Sequence, residues 1–284
     1  MIINGITLVD GGVGTSLWEK VDSKKPVWTF NVTNPDKVIE LHREMAAAGA
    51  EYVLANTFSA NRPSCEEQGY TPEQVIIPAL ELAHEALDPL NTKITLGVGP
   101  LTGLLEPFGE ISEADCADYY REQISLGVKG KPDVIWLQTF MDIKMMEIAV
   151  KEAGKFDIPV FATMSFGSYN ERKRSRTLMG NSVDQILETL GKYDFIQAVG
   201  VNCSMGPDKA FNIINEFSEK SDMPLIYKPN AGKPMMEGGA EVDHQEFAMD
   251  VAKAASLPNV KYLGGCCGAN AKYIEALRKE LEKR

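Results

Sequence analysis

Three of the five cysteines in this 284-residue chain fall where thiolate chemistry is possible. Cys266 and Cys267 are adjacent in Lys261-Tyr-Leu-Gly-Gly-Cys-Cys-Gly268, and Cys203 closes Ala198-Val-Gly-Val-Asn-Cys203. Each run reads as a short apolar strand ending in cysteine. Zinc takes thiolate sulfur at about 2.3 Å, and a catalytic zinc site keeps one of its four positions open for a substrate atom. Neighbours on a regular strand point to opposite faces. Cys266 and Cys267 could therefore share an ion only if the backbone bends, which Gly264, Gly265 and Gly268 permit. The alternative is three buried cysteines packed as small apolar side chains. Spacing alone leaves the two readings level, since there is no CxxC pair. Cys116 lies in a predicted helix and reads as packing. Cys65 follows the second predicted strand and could add a fourth protein sulfur, which would close the site.

Residues this far apart need a framework that gathers strand ends. Eight apolar runs, each followed by a helix signal, read as strands at 6–10, 52–57, 94–99, 134–139, 160–165, 198–203, 225–230 and 262–266. Near-continuous apolar strands fit a parallel sheet buried on both faces. Helix starts are marked by Asn34-Pro35, a capping box at Thr71-Pro-Glu-Gln74, Ser112, Asp142, Ser182-Val-Asp-Gln185 and Gly206-Pro207. The last two helices are expected at about 243–255 and 270–282. Strict alternation predicts an α/β fold, a closed (βα)8 TIM barrel, with an open doubly wound sheet as the alternative. The barrel puts every strand's carboxyl end on one face, where catalytic groups collect. No linker or composition break divides the chain, so a single domain over 1–284 is expected. The connections 166–181 and 231–242 are long and should lie over the same face.

Hydrophobic residues make up 44% and charged residues 24%, ordinary for a globular protein. The net charge of −11 argues against nucleic-acid binding, which needs a basic surface. No apolar run approaches the roughly 20 residues of a membrane span, and the start lacks the pattern of a signal peptide. A cytoplasmic setting is expected, where clustered thiols stay reduced.

Five motifs in order, Asp10-Gly-Gly-Val-Gly-Thr-Ser16, Asn56-Thr-Phe-Ser-Ala-Asn61, Gly200-Val-Asn-Cys203-Ser, Lys228-Pro-Asn-Ala-Gly232 and Gly264-Gly-Cys-Cys-Gly268, resemble the homocysteine S-methyltransferase family. That family includes the homocysteine module of cobalamin-dependent methionine synthase and betaine–homocysteine methyltransferase. The similarity spans essentially the whole chain, and the paired cysteines are its most specific part. It implies a (βα)8 barrel with one Zn2+ on Cys203, Cys266 and Cys267, and homocysteine as the thiol that receives a methyl group to give methionine. The chemistry suits the metal. A free thiol is only about 3% ionised at pH 7, so full deprotonation is worth roughly 30-fold, about 2 kcal/mol.

The resemblance places the amino-acid end of the substrate at the turn of Asp10, Gly11 and Gly12, with free N–H groups for a carboxylate and Asp10 toward an ammonium. A tight structural turn is the competing view of these residues. Asn56, Thr57, Asn202 and Asn230 are strand-end groups placed to orient substrate or to hydrogen-bond cysteine sulfur. Gln138 departs from the family, where a Glu usually holds the ammonium. A neutral amide there should cost about 1–3 kcal/mol of ammonium binding, so the acceptor is either homocysteine held more weakly or a thiol lacking the amino group. His42, His84 and His244 fall on predicted helices and read as surface or packing. Met141, Met145, Met146, Met235 and Met236 could rim the mouth, with packing as the simpler view.

No corrinoid or nucleotide motif is present, so the methyl donor is expected from outside, possibilities being a methyl-corrinoid on a separate protein and a small sulfonium or betaine-like molecule. Arg172, Lys173, Arg174 and Arg176 form a basic run that could dock such a protein, or simply be solvated. The competing classes are a corrinoid-linked methyltransferase acting on another methylated substrate or thiol, and a non-catalytic zinc- or thiol-binding barrel subunit. An aldolase-like barrel is disfavoured, since Lys228, between Tyr227 and Pro229, is the sole strand-end lysine in reach.

Overall fold

Apolar strands that bury both faces need helices on one side and one another on the other, and closure into a ring satisfies both. The computed structural model describes residues 2–168, 175–203, 205–231 and 242–284. Its strands are β1 (Ile6–Leu8), β2 (Tyr52–Ala55), β3 (Lys93–Val98), β4 (Val134–Phe140), β5 (Val160–Met164), β6 (Ile196–Asn202), β7 (Leu225–Lys228) and β8 (Val260–Leu263). Each pairs in parallel with the next, and β8 returns to β1. The ring closes where Val9 bridges Tyr52 and the Glu51 N–H donates to Leu8 O at 2.9 Å. A closed barrel leaves no sheet edge, so the open-sheet alternative falls away. A short strand, Ile2–Ile3, runs antiparallel to β1 at the foot.

The covering helices are α1 (Pro35–Ala47), α2 (Pro72–Leu87), α3 (Glu113–Lys129), α4 (Ile143–Ala153), α5 (Val183–Leu190), α6 (Pro207–Lys220), α7 (His244–Ala252) and α8 (Ala271–Glu282). Reciprocal capping boxes start α2 and α5, and the Ser112 and Asp142 side chains cap α3 and α4. Asn34 differs from expectation. Its side chain accepts the Thr33 hydroxyl at 2.8 Å and caps nothing, so Pro35 alone marks that start. The seventh helix is shorter than expected and gives way to a 3-10 turn at Lys253–Ser256. Most strands also stop one to three residues early by comparison with their apolar runs, so Cys203 and Cys266 stand just beyond β6 and β8 rather than in them. Part of the long 166–181 connection forms a hairpin, Phe166–Ser168 with Arg176–Thr177.

Ring contacts across the interior and between neighbouring strands define the barrel's filling. Tyr52 on β2 meets Phe161 on β5 and Tyr262 on β8 at centroid distances of 5.7 and 6.0 Å. Phe161 meets Trp136 on β4 at 5.6 Å. At the amino end Lys93 covers Tyr52, and at the carboxyl end Lys228 covers Trp136 with Nζ 4.6 Å from the ring centre. These tilted and edge-to-face ring contacts fill the barrel interior.

His42 on α1 is fully buried, and desolvation pushes its imidazole down to about 4. The unfolded ring takes a proton near pH 6.5 and the folded ring only near pH 4. Between those values the unfolded state binds more protons, so stability is whole above 6.5 and declines as pH drops toward 4. Urea unfolding should show wild type losing about 2 kcal/mol more than His42→Leu between pH 7.5 and pH 5. Equal losses would show that the ring titrates normally in the folded chain.

Candidate functional site

The end of β7 is the template on which the cysteines are set. Pro229 has no N–H and ends the ladder. The carbonyls on either side of that break are then used by the cysteines: Lys228 O accepts the Cys203 N–H at 3.0 Å, and Pro229 O accepts the Cys266 N–H at 2.8 Å. Ala231 N–H in turn donates to Cys267 O at 2.9 Å. Because β7 lies between β6 and β8, these bonds bring both cysteine segments to one spot. The Sγ atoms of Cys203, Cys266 and Cys267 all lie within 4.8 Å of one another, with Cys203 and Cys267 at 3.8 Å. A tetrahedron of sulfurs at the zinc–sulfur bond length has edges of about 3.8 Å, so the donor set fits zinc in kind and spacing.

Close backbone approach explains the glycines. A Cβ on Gly11 would stand 1.9 Å from Ala269 O, one on Gly12 would stand 2.6 Å from Cys266 O, and one on Gly264 would stand 2.7 Å from Asp10 O. The turn after β1 and the cysteine loop after β8 thus lie directly on each other. One expectation changes as a result. The Gly12 N–H is not free, since it donates to Ala269 O at 2.8 Å. In this turn the N–H groups of Gly11 and of Gly14, the latter in the first turn of the helix Val13–Val21, have no partner among the described residues.

Strain gathers at the neighbouring strand ends. Cys203 and Thr139 have φ of 62° and 65°, and a β-branched residue there is a true outlier. Asn202 holds Thr139 in place: Oδ1 accepts the Thr139 N–H at 2.8 Å and Nδ2 donates to Thr139 Oγ1 at 2.7 Å. The same Nδ2 lies 3.7 Å from Cys266 Sγ. Asn202 therefore links the bulge in β4 to the sulfur cluster. Gln138, just before the bulge, is 6% exposed and borders the cavity, and among the described residues its amide has no hydrogen-bond partner.

Asp10 is not open to a ligand. Its Oδ1 pairs with Lys228 Nζ at 2.5 Å and its Oδ2 accepts the Leu54 N–H at 2.8 Å, with both side chains buried. The ammonium it meets belongs to the protein. Burial raises the Asp10 carboxyl above the usual range, with Lys228 pulling the other way. At the cluster, hydrogen bonds from Cys203 and Cys267 favour the Cys266 thiolate and hold it low, Lys228 adding to the effect. Cys267 is pushed up by the same hydrogen bonds and by the like charge of its neighbours.

A cavity of about 310 Å³ opens here. Of the residues expected at the site, the three cysteines, Gly11, Gly12, Asn56 and Gln138 line it, whereas Asp10, Thr57, Asn202 and Asn230 stand behind the wall. Asn56 is mainly a brace, its Nδ2 donating to Val27 O and Asn31 Oδ1. Thr57 is likewise structural, with Oγ1 donating to Gly97 O at 2.8 Å. Asn230 N–H donates to Met205 O at 3.0 Å, fixing the turn that follows β7. Lys228 lines the cavity; the sequence marked it only as a strand-end lysine within a motif, and nothing there ties it to Asp10.

Cys65 and Cys116 are buried away from the cluster, desolvation pushing each thiol up to about 12. Neither joins the candidate metal group. Met145 and Met146 pack in the core rather than at the mouth. Arg176 is half-buried in the hairpin, its Nη1 donating to Ser175 O at 3.0 Å. Arg172, Lys173, Arg174, Met235 and Met236 lie outside the described residues.

Known proteins share this architecture. The family model described as homocysteine S-methyltransferase matches residues 7–281. Homocysteine S-methyltransferase 1 of Arabidopsis thaliana is 25% identical over 314 aligned positions, covering 99% of this chain and 94% of that protein. Crystal structures of the Escherichia coli homocysteine methyltransferase MmuM superpose with TM-scores of 0.79 for the oxidised and 0.78 for the metallated form. Each is 17% identical and covers 97% of this chain and 96% of the other.

Breaking the buried pair tests its coupling. In metal-free protein, Lys228→Met leaves the Asp10 carboxylate unpaired and should cost about 3–5 kcal/mol. The double variant Asp10→Asn, Lys228→Met should lose clearly less by urea denaturation. Losses that simply add across the two sites would show no coupling.

Proposed function

The chain belongs to the homocysteine S-methyltransferase family and is a methyltransferase, and from that premise we propose that it holds one zinc ion on Cys203, Cys266 and Cys267 and methylates a thiol, homocysteine in the first instance, to give methionine. The separation of the three sulfurs carries this proposal. Zinc held there supplies a Lewis acid that keeps an added thiol in its thiolate form at neutral pH.

The protein's own groups do the positioning. Asn202 steadies Cys266 and, through Thr139, the strand end that presents Gln138. The free N–H groups of Gly11 and Gly14 sit at a helix N-terminus suited to a carboxylate. Methyl transfer is an in-line displacement: a sulfur lone pair forms the new S–C bond while the donor's bond to the methyl breaks and its electron pair leaves with the donor. Holding the two reactants in line accounts for most of the acceleration. No general base is needed once the thiol is ionised.

The donor comes from outside, as a methyl-corrinoid on a separate protein or as a small sulfonium or betaine-like molecule. The chain acts as one barrel domain over 1–284. Five free cysteines suit a reducing, cytoplasmic setting. Among the described residues no helix is long and apolar enough to cross a membrane.

Purified protein should bind about one zinc per chain, and Cys203→Ala should reduce that to a trace by metal analysis. The loaded enzyme should consume homocysteine with at least one of methylcobalamin, betaine, S-adenosylmethionine or a simple methylsulfonium. Stoichiometric zinc without thiol consumption from any donor would favour the non-catalytic binding subunit instead.

A further inference from the structure

Apart from the sulfur cluster, the one formal charge on the cavity wall is a cation. Lys228 is the sole cation among its described lining residues, and no Asp or Glu lies among them. Asp10 stands behind Lys228 with both oxygens engaged, so the pair turns its ammonium end to the cavity. The unpartnered amide of Gln138 adds a neutral dipole, and the N–H groups of Gly11 and Gly14 add free donors. A desolvated carboxylate is met there by a cation and by N–H groups. A desolvated ammonium at that wall finds no carboxylate among the described lining residues and faces the Lys228 cation, which is costly away from water.

We infer that this cavity recognises its acceptor by the thiol and by an anionic far end while giving nothing to an amino group, so that mercapto acids as a class are substrates and Lys228 determines that preference. The inference rests on the thiol-acceptor function proposed above. It differs in its consequence: the amino group of homocysteine becomes dispensable, and the acceptor range extends to thiols that are not amino acids.

Calorimetric titration of the zinc-loaded protein with three thiols of one chain length separates the possibilities. They are homocysteine, 4-mercaptobutyrate, which lacks the amino group, and 4-mercaptobutylamine, which carries an ammonium and no carboxylate. Mercaptobutyrate should bind at least as tightly as homocysteine to within threefold, and the amine at least tenfold more weakly than mercaptobutyrate. Homocysteine binding more than threefold tighter than mercaptobutyrate, or an amine within tenfold of it, overturns the inference while leaving methyl transfer to a thiol intact. Failure of all three to bind removes the thiol-acceptor function and the inference together. For the residue, Lys228→Arg should keep the carboxylate-over-amine ratio, and the charge-free double variant Asp10→Asn, Lys228→Met should lower it at least threefold. An undiminished ratio in the folded double variant overturns the part given to Lys228, with circular dichroism as the check on folding.

Discussion

Three sulfurs drawn from two separate segments can meet only if their backbones are held to common peptide groups, and the short run Lys228-Pro-Asn-Ala231 provides them. Two of its carbonyls and one N–H bind the cysteine segments that arrive from β6 and β8. Much else follows from that constraint. The turn after β1 must be glycine because the cysteine loop lies on it at contact distance. Cys203 must adopt a left-handed backbone to turn its sulfur toward the other two. Strain of this sort persists only where the surroundings over-determine it, and here Asn202 and the β7 carbonyls do so.

Beneath the sulfurs lies a second arrangement, the Asp10–Lys228 pair seated on Trp136. Lys228 is the one Lys or Arg side chain among the described residues to be buried. A buried ion pair is poor value as a stabiliser, since apolar side chains of similar volume often do as well. Its position at the top of the aromatic column, bordering the cavity, gives the pair a different worth. It sets a cation beside the cavity, and it ties the ends of β1, β2 and β7 together through Leu54 N–H.

The sequence carried the barrel because parallel strands buried on both faces leave runs that are hard to mistake, and because capping signals such as Thr71 with Gln74 are local. The gathering of Cys203, Cys266 and Cys267 was legible for a related reason: strand ends in a barrel share one face. What escaped was non-local or conformational. Lys228 meets Asp10 across 218 residues, and its neighbours Tyr227 and Pro229 give no hint of the pairing. Asp10 was read as facing an ammonium, yet the ammonium it faces is internal. Gly12 was expected to offer its N–H to a ligand, but a loop at the other end of the chain had already taken it. Thr139 looked like an ordinary strand residue, since no local signal announces a left-handed backbone at a β-branched side chain. The polar strand-end residues Thr57, Asn202 and Asn230 are not among the residues that line the cavity, a distinction that residue type does not encode.

The ring contacts running from Tyr52 and Tyr262 through Phe161 to Trp136 have a mechanical corollary. Phe161 touches the other three rings and so joins β2, β4, β5 and β8 across the interior. Trp136 in turn carries Lys228, which borders the cavity. A change of side-chain volume at Phe161, deep in the close-packed interior, would therefore be felt at the cavity wall and not only where it is made.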